Sequence, residues 1–223
     1  MKPINKIGVF NRPIDVEDRY QEFAEVYIEA FKGPPWFEVS QCPVKDESYC
    51  PGGFSPIPIG KKCENCNQCP VSEAYEIDQL VEKFTRIGRS KNAYWYSEDT
   101  IRGLAMVALA WETTSDVLIA EKYPEQPEIA AWIFDTMGTE PFVWLDEVFA
   151  DKRVRASTNL RNFAAMTGGF ALRLDNPVVA YRTITAQMLR AGERIDAKIS
   201  DASKNEVPDR RNFIVKNMKF GEI

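Results

Sequence analysis

No histidine occurs among the 223 residues, and that absence excludes more than any single residue present. It removes Ser-His-Asp and Cys-His nucleophilic arrangements, the helix-borne zinc-protease motif and two-histidine iron sites. A general base must therefore be Asp or Glu, a cysteine, a tyrosine or a chain of waters. No stretch approaches the roughly 18 consecutive apolar residues that cross a bilayer. Met1-Lys2-Pro3-Ile4-Asn5-Lys6 has no apolar run behind its charges, so no secretory signal and a cytoplasmic location are expected. Positive charge is also short, with 28 Lys and Arg against 33 Asp and Glu and a net charge of −5. A broad nucleic-acid footprint needs the opposite excess. Neither nucleic acid nor a membrane is an expected partner, and composition leaves the oligomeric state open, a homodimer included.

What is present is an ordinary globular mixture, 44% hydrophobic and 27% charged. A chain of this length buries roughly 70% of its unfolded surface, so its core needs no disulfide support. At about 150 residues per domain, one domain over residues 1–223 is predicted, with a cysteine- and proline-rich insert at 34–70 and a small helical insert at 113–139.

Ile4, Ile7, Val9 and Phe10 read as a first strand. Asp15 is placed to cap a helix whose stripe runs Val16, Tyr20, Phe23, Tyr27, Ala30 and Phe31, with acids on the other face. Gly33-Pro34-Pro35 stops it, since proline lacks the N–H and restricts its predecessor. From Tyr75 a second helical stripe runs through Ile77, Leu80, Val81, Phe84 and Ile87, closed by Gly88. Tyr94–Tyr96 and the continuous apolar run Leu104–Trp111 read as strands, the second covered on both faces. Ser115 and Pro127 begin two short helices. Pro141–Phe149 is a strand, and Ser157 or Thr158 caps a helix that ends at Asp175-Asn176-Pro177, weakened by Gly168-Gly169 at about 1 kcal/mol per glycine. Val178–Ile184 is a strand, Ala186–Ala191 a short helix, Ile195, Ala197 and Ile199 alternate, and Phe213–Val215 is a last strand. The expected class is α/β (α+β), a mixed sheet with helices on both faces.

Residues 34–70 hold 7 of the 14 prolines and all 5 cysteines, with no helical or strand period. Cys42, Cys50, Cys63, Cys66 and Cys69 lie close together, and Cys63-Glu64-Asn65-Cys66-Asn67-Gln68-Cys69 contains two overlapping C-x-x-C units. Such a unit brings two thiolates onto one metal, and a second pair completes a tetrahedron. Without histidine, a zinc site here is all-thiolate and structural, drawing four ligands from the five cysteines. Cys63-Cys66 or Cys66-Cys69 forms the knuckle, with Cys42 and Cys50 as the expected other pair. An iron–sulfur cluster is the competing reading, and disulfides are disfavoured in the cytoplasm.

Glu147 is the candidate general base. Strict alternation puts it on one face with Val143, Leu145 and Phe149, and Asp146 on the other beside Trp144 and Val148. A carboxylate among apolar neighbours has its charged form disfavoured, which lifts its pKa toward the range of a useful base. The alternative is a strand-end acid paired with an arginine. Arg155 to Asn159 opens a helix, and Ser157, Thr158 and Asn159 offer donors to an anion or serve as caps alone.

Four stretches together resemble the GNAT superfamily of acyl-CoA-dependent N-acetyltransferases. They are Ala30-Phe31-Lys32-Gly33-Pro34-Pro35-Trp36 at the end of the first helix, Trp144 to Asp151 and on to Arg155, Val178-Val179-Ala180-Tyr181-Arg182-Thr183, and Arg190-Ala191-Gly192. The resemblance implies a GNAT-like fold with a mixed, mostly antiparallel central sheet. It also implies transfer of an acetyl or other acyl group from acetyl-CoA to an amine, borne by a small molecule or a protein. Coenzyme A would lie against Phe149 and Ala150 and the run Arg155-Ala156-Ser157-Thr158-Asn159-Leu160. Thr158 and Leu160 stand where the family carries small residues, and Met188 where it often carries an acidic tyrosine. These departures support an alternative, a catalytically degenerate GNAT-fold binding module. Lys61-Lys62 and Arg210-Arg211 carry a weaker third reading as nucleic-acid contacts.

Overall fold

Six longer segments and one short one build a seven-stranded sheet, onto which the helices pack from both sides. In the computed structural model, residues 7–33, 37–44, 54–101, 103–150, 160–183, 189–190, 192–193, 197–199 and 212–217 are described. The chain order is β1 (Ile7–Asn11), α1 (Tyr20–Phe31), β2 (Ser40–Gln41), β3 (Phe54–Ser55), β4 (Ser72–Glu73), α2 (Ile77–Ser90), β5 (Ala93–Thr100) and β6 (Gly103–Thr113). It continues with α3 (Ser115–Lys122), α4 (Pro127–Met137), β7 (Phe142–Ala150), α5 (Leu160–Arg173), β8 (Val178–Thr183), β9 (Lys198–Ile199) and β10 (Asn212–Asn217).

The main sheet runs β1-β5-β6-β7-β8-β10-β9. Every pairing in it is antiparallel except β7 with β8. That parallel pair is joined through α5, the kind of long crossover a parallel pair requires. The sheet is thus mixed and mostly antiparallel, as expected. In β6 the residues from Leu104 to Trp111 are all buried, because helices cover both of its faces. On one face α1 to α4 enclose Trp95, Trp111, Trp144 and Phe149. On the other, α5 lays Met166, Phe170 and Leu174 over Tyr96, Val143, Leu145 and Tyr181.

Three local readings are corrected. Asp15 does not cap α1: Pro13–Asp15 and Glu17–Arg19 form two 3-10 turns, and the α-helix begins at Tyr20. Val16, at φ −136°, breaks the run while its side chain anchors in the core. Gly88 lies inside α2, which continues to Ser90. Its missing side chain makes room for Pro13, whose Cβ lies 2.6 Å from where a Cβ on Gly88 would stand. The insert, read as irregular, forms with the flanking Ser72–Glu73 a small antiparallel sheet of order β3-β2-β4. Its two-residue strands are too short to leave a periodic signal. Among the described residues no helix is long and apolar enough to cross a membrane.

Candidate functional site

Strand β7 carries the irregularity that makes the site. Its register with β6 sets Leu109 against Glu147 and Ala110 against Leu145, so Asp146 is the extra residue of a β-bulge. One inserted residue exchanges the faces of everything beyond it. Before the bulge, Phe142 and Trp144 face α1 and α2 while Val143 and Leu145 face α5; after it, Phe149 faces the former and Ala150 the latter. Asp146 lies beside Trp144 as expected, but the expectation that Glu147 sits with Val143 and Leu145, on the face opposite Asp146, fails. Both carboxylates, together with Trp144, line one cavity on the α1 side.

That cavity encloses about 320 Å³. Its walls come from distant parts of the chain: Tyr27 and Phe31 of α1, Glu38, Phe54 and Tyr75 of the insert and its flanks, the end of α3, and Arg182 of β8. Each carboxylate is met by a lysine. Lys83 Nζ of α2 donates to Glu147 Oε1 at 2.5 Å, and the Glu147 side chain is only 13% exposed. Lys122 Nζ of α3 lies 2.8 Å from Asp146 Oδ1, which also accepts the Trp144 indole N–H at 3.0 Å. Burial alone would push Asp146 upward, but Lys122 and Lys83 outweigh it and hold its pKa below the ordinary aspartate value. Burial likewise pulls Lys83 down, and Glu147 and Asp146 overcome it, leaving the ammonium more firmly protonated than usual. The apolar surroundings expected for Glu147 are thus replaced by an ion pair.

The remaining walls are aromatic and acidic. The Tyr75 hydroxyl donates to Glu38. Tyr27 stacks on Phe31 with centroids 4.4 Å apart and meets Tyr75 edge-on at 5.1 Å. Burial first, and then the charge of Glu147, raise the Tyr27 phenol well above its ordinary value. Arg182 holds its guanidinium 4.9 Å from the Tyr123 ring centre.

Next to the bulge the sheet opens. Strands β7 and β8 pair only at Val143–Val179, Trp144–Ala180 and Leu145–Tyr181. Strand β7 then runs five residues further, to Ala150, and β8 two further, to Thr183, with no ladder between them among the described residues. Two parallel strands that part in mid-sheet leave backbone N–H and C=O groups facing the gap. Of the residues expected to hold coenzyme A, Arg155, Ala156, Ser157, Thr158 and Asn159 lie outside the described residues, as does Met188. Leu160 opens α5. Phe149 is a core residue, 2% exposed and edge-on to Tyr27 at 5.2 Å, and Ala150 is buried against the α5 side.

The insert gathers its thiols at the far end of the β3-β2-β4 sheet. Cys42, Cys66 and Cys69 place their sulfurs within 4.8 Å of one another, with Cys42 and Cys66 at 3.9 Å. Cys63 is buried in the same cluster, with Val71. None of these four forms a disulfide; Cys50 lies outside the described residues. Backbone N–H groups of Cys69 and Gln68 point at the Cys66 sulfur and, aided by Cys42 and Cys63, lower its pKa to about 6. The turn closes with Asn67 N–H on the Cys63 carbonyl at 2.8 Å, and Asn67 itself adopts a left-handed φ of 56°. Tetrahedral zinc with Zn–S near 2.3 Å needs sulfurs about 3.8 Å apart. The donor set, its spacing and its bias toward thiolate therefore fit a metal ion.

Sequence reading missed Lys83, Lys122, Glu38, Tyr75 and Arg182 as members of the site. Lys83 sits on a helix otherwise legible by its apolar stripe and Lys122 at the end of one read from its start at Ser115, where a single lysine is unremarkable. Asp146 was rightly set beside Trp144, but strict alternation sent Glu147 to the wrong face, with Val143 and Leu145.

No protein-family model and no curated protein matches the sequence. Solved structures do match in shape. A polyamine N-acetyltransferase of Drosophila melanogaster aligns over 96% of this chain and all of its own, with a TM-score of 0.52 and 11% identity. YncA of Salmonella typhimurium, solved with its cofactor acetyl-CoA, aligns over 98% and 96% of the two chains at 0.51 and 8%. A mosquito arylalkylamine N-acetyltransferase-like protein aligns over 95% and 99% at 0.50 and 8%. At such identities the likeness establishes the fold: the chain has the GNAT-like architecture of these proteins.

Proposed function

We propose that the protein is an N-acyltransferase moving an acetyl group from acetyl-CoA to an amine, with a thiolate-bound structural zinc in its insert. The observation that carries the enzymatic reading is the parting of β7 from β8 directly before two carboxylates that enter a cavity. A gap where the ladder stops suits a donor laid along the strand. The cavity beside it suits an acceptor. The activities named for the matching acetyltransferases support the same reading.

In this reading Glu147 accepts the proton as the amine nitrogen attacks the thioester carbonyl. The new C–N bond forms, the C–S bond breaks, and the coenzyme A sulfur leaves as a thiolate that takes a proton from water. Lys83 fixes the Glu147 carboxylate in place. Arg155 to Leu160, with Phe149 and Ala150 at the strand end, would hold the donor, the helix start offering its N–H groups to phosphate. Calorimetry with acetyl-CoA tests this: saturable binding weakened by Arg155→Glu is expected, and no binding at millimolar donor overturns it. A second reading, a binding module without catalysis, is favoured by one observation. The Lys83 ammonium already engages one oxygen of the Glu147 carboxylate, which weakens it as a base. Donor binding without acetyl transfer to any amine would establish it.

For the metal, Cys42, Cys63, Cys66 and Cys69 form the proposed ligand set, with Cys50 as the alternative to one of them. Four thiolates leave no open position, so the ion orders the insert and takes no part in chemistry. Unbridged thiols also agree with a cytoplasmic location. Protein purified without added metal should contain about one zinc per chain. Iron with visible absorption, or no metal in reduced protein, overturns the assignment.

A further inference from the structure

We infer that the insert and the end of α1 build a distal subsite for a positively charged group, so that the acceptor is an amine carrying a second cationic nitrogen. The inference rests on the acyltransferase reading for the reactive end of the cavity only. The cavity's charges are not evenly spread. Its lining cations, Lys122 and Arg182, come from α3 and β8, and each is already engaged, by Asp146 and by the Tyr123 ring. Among the described residues, the wall formed by α1 and the insert contributes no cation to the cavity; it offers Glu38 beside Tyr27, Phe31, Phe54 and Tyr75.

These aromatic rings form a continuous set. Phe54 lies 5.0 Å from Tyr75, and Tyr75 is 5.1 Å from Tyr27. Phe54 is 49% exposed, a large ring left in solvent at the edge of a cavity rather than packed away. Its neighbour Tyr75 spends its hydroxyl on Glu38, which holds that carboxylate against the ring wall. Carboxylate and ring faces together recognise an ammonium by charge and by cation–π attraction. Burial first, then the hydrogen bond and charge of Glu38 and the charge of Glu147, raise the Tyr75 phenol, and both acids line the cavity with Tyr27 and Tyr75. A molecule with nitrogens at both ends fits that arrangement, with one nitrogen at Glu147 and the other at Glu38. A simple alkylamine leaves the Glu38 end unused.

The test is calorimetric titration of the full chain with 1,4-diaminobutane and with n-butylamine, alongside acetyl-CoA. The diamine should bind roughly tenfold more tightly, as expected for one desolvated cation–π and charge contact. Glu38→Gln should bring the two amines to near-equal affinity, and Phe54→Ala, at an exposed position, should weaken the diamine alone. Glu128→Gln, on the outer face of α4, should keep the preference and so exclude general attraction to an acidic protein. Equal affinities in the unaltered protein, absence of diamine binding, or a preference that survives Glu38→Gln overturns the subsite. A diamine preference without any acetyl-CoA binding would uphold the subsite and remove the acyltransferase reading instead.

Discussion

In the first half of β7, Phe142, Val143, Trp144 and Leu145 are at most 3% exposed, and the strand is paired on both sides, with β6 and with β8. In the second half, Asp146, Glu147 and Val148 are only partly buried, β6 is the remaining neighbour, and two charges enter a cavity. The change falls at a single inserted residue. A strand paired on both edges and packed on both faces has no freedom to present a polar group. Losing one edge and gaining a bulge supplies both a gap and an aim. The lesson is that the site is made by interrupting the sheet, and its precision is inherited from the rigid half that precedes the interruption.

The sharpest way to separate the halves is by what each substitution damages. Glu147→Gln should lower turnover by about 100-fold to 10,000-fold, the usual range for a general base, while acetyl-CoA binding stays nearly unchanged in calorimetry. Unaltered turnover would remove the assigned role and leave a solvent-mediated route. Phe142→Ala, in the paired half, should cost about 3–5 kcal/mol of stability in urea unfolding. A loss below about 1 kcal/mol would mean that this half is not the anchor described here.

The same chemical change made in both halves sharpens the contrast. Val143→Ala, at a fully buried position, should cost about 2 kcal/mol, and Val148→Ala less than about 1 kcal/mol. Equal costs would mean that the bulge does not divide the strand energetically. A similarly modest effect belongs to Asp146. Its folded pKa lies below the ordinary value because Lys122 and Lys83 outweigh burial. The stabilisation is therefore present above the ordinary carboxylate pKa, about 4, and is lost as pH falls from there through the folded value. Asp146→Asn should remove that part of the acid sensitivity, at a cost of about 1 kcal/mol near neutrality, because Lys122 is partly exposed and Asn still accepts the Trp144 N–H. An unchanged acid-unfolding midpoint would contradict the Lys122–Asp146 pairing.

Much of the architecture was legible beforehand, because it rests on repeating signals. The apolar stripes of α1 and α2, the doubly covered run in β6 and the prolines beside α1 and α4 each carry a local physical cause. The bulge has no such signal: alternation assumes a period of two, and a residue pushed out of register by its partner strand is invisible within β7 alone. For the same reason Glu147 could be singled out while its surroundings were misjudged. Lys83 is 64 positions away along the chain, and only the packing of α2 on the sheet brings them together. The cysteines announced by their spacing that they gather in one cluster, but that Glu38, Phe54 and Tyr75 wall the cavity follows from how the insert folds back beside α1.

Strand β10 has a consequence for the order in which the molecule can be completed. It is the last strand along the chain, yet it sits between β8 and β9, pairing with β8 across six residues and burying Ile214 fully. During synthesis, β8 emerges with one edge shared in part with β7 and the other bare until residues 212–217 leave the ribosome. A bare edge of Val178-Val179-Ala180-Tyr181 is a template for pairing with another chain. Nascent or interrupted chains that stop short of β10 should therefore self-associate through that edge, which β10 covers in the finished protein.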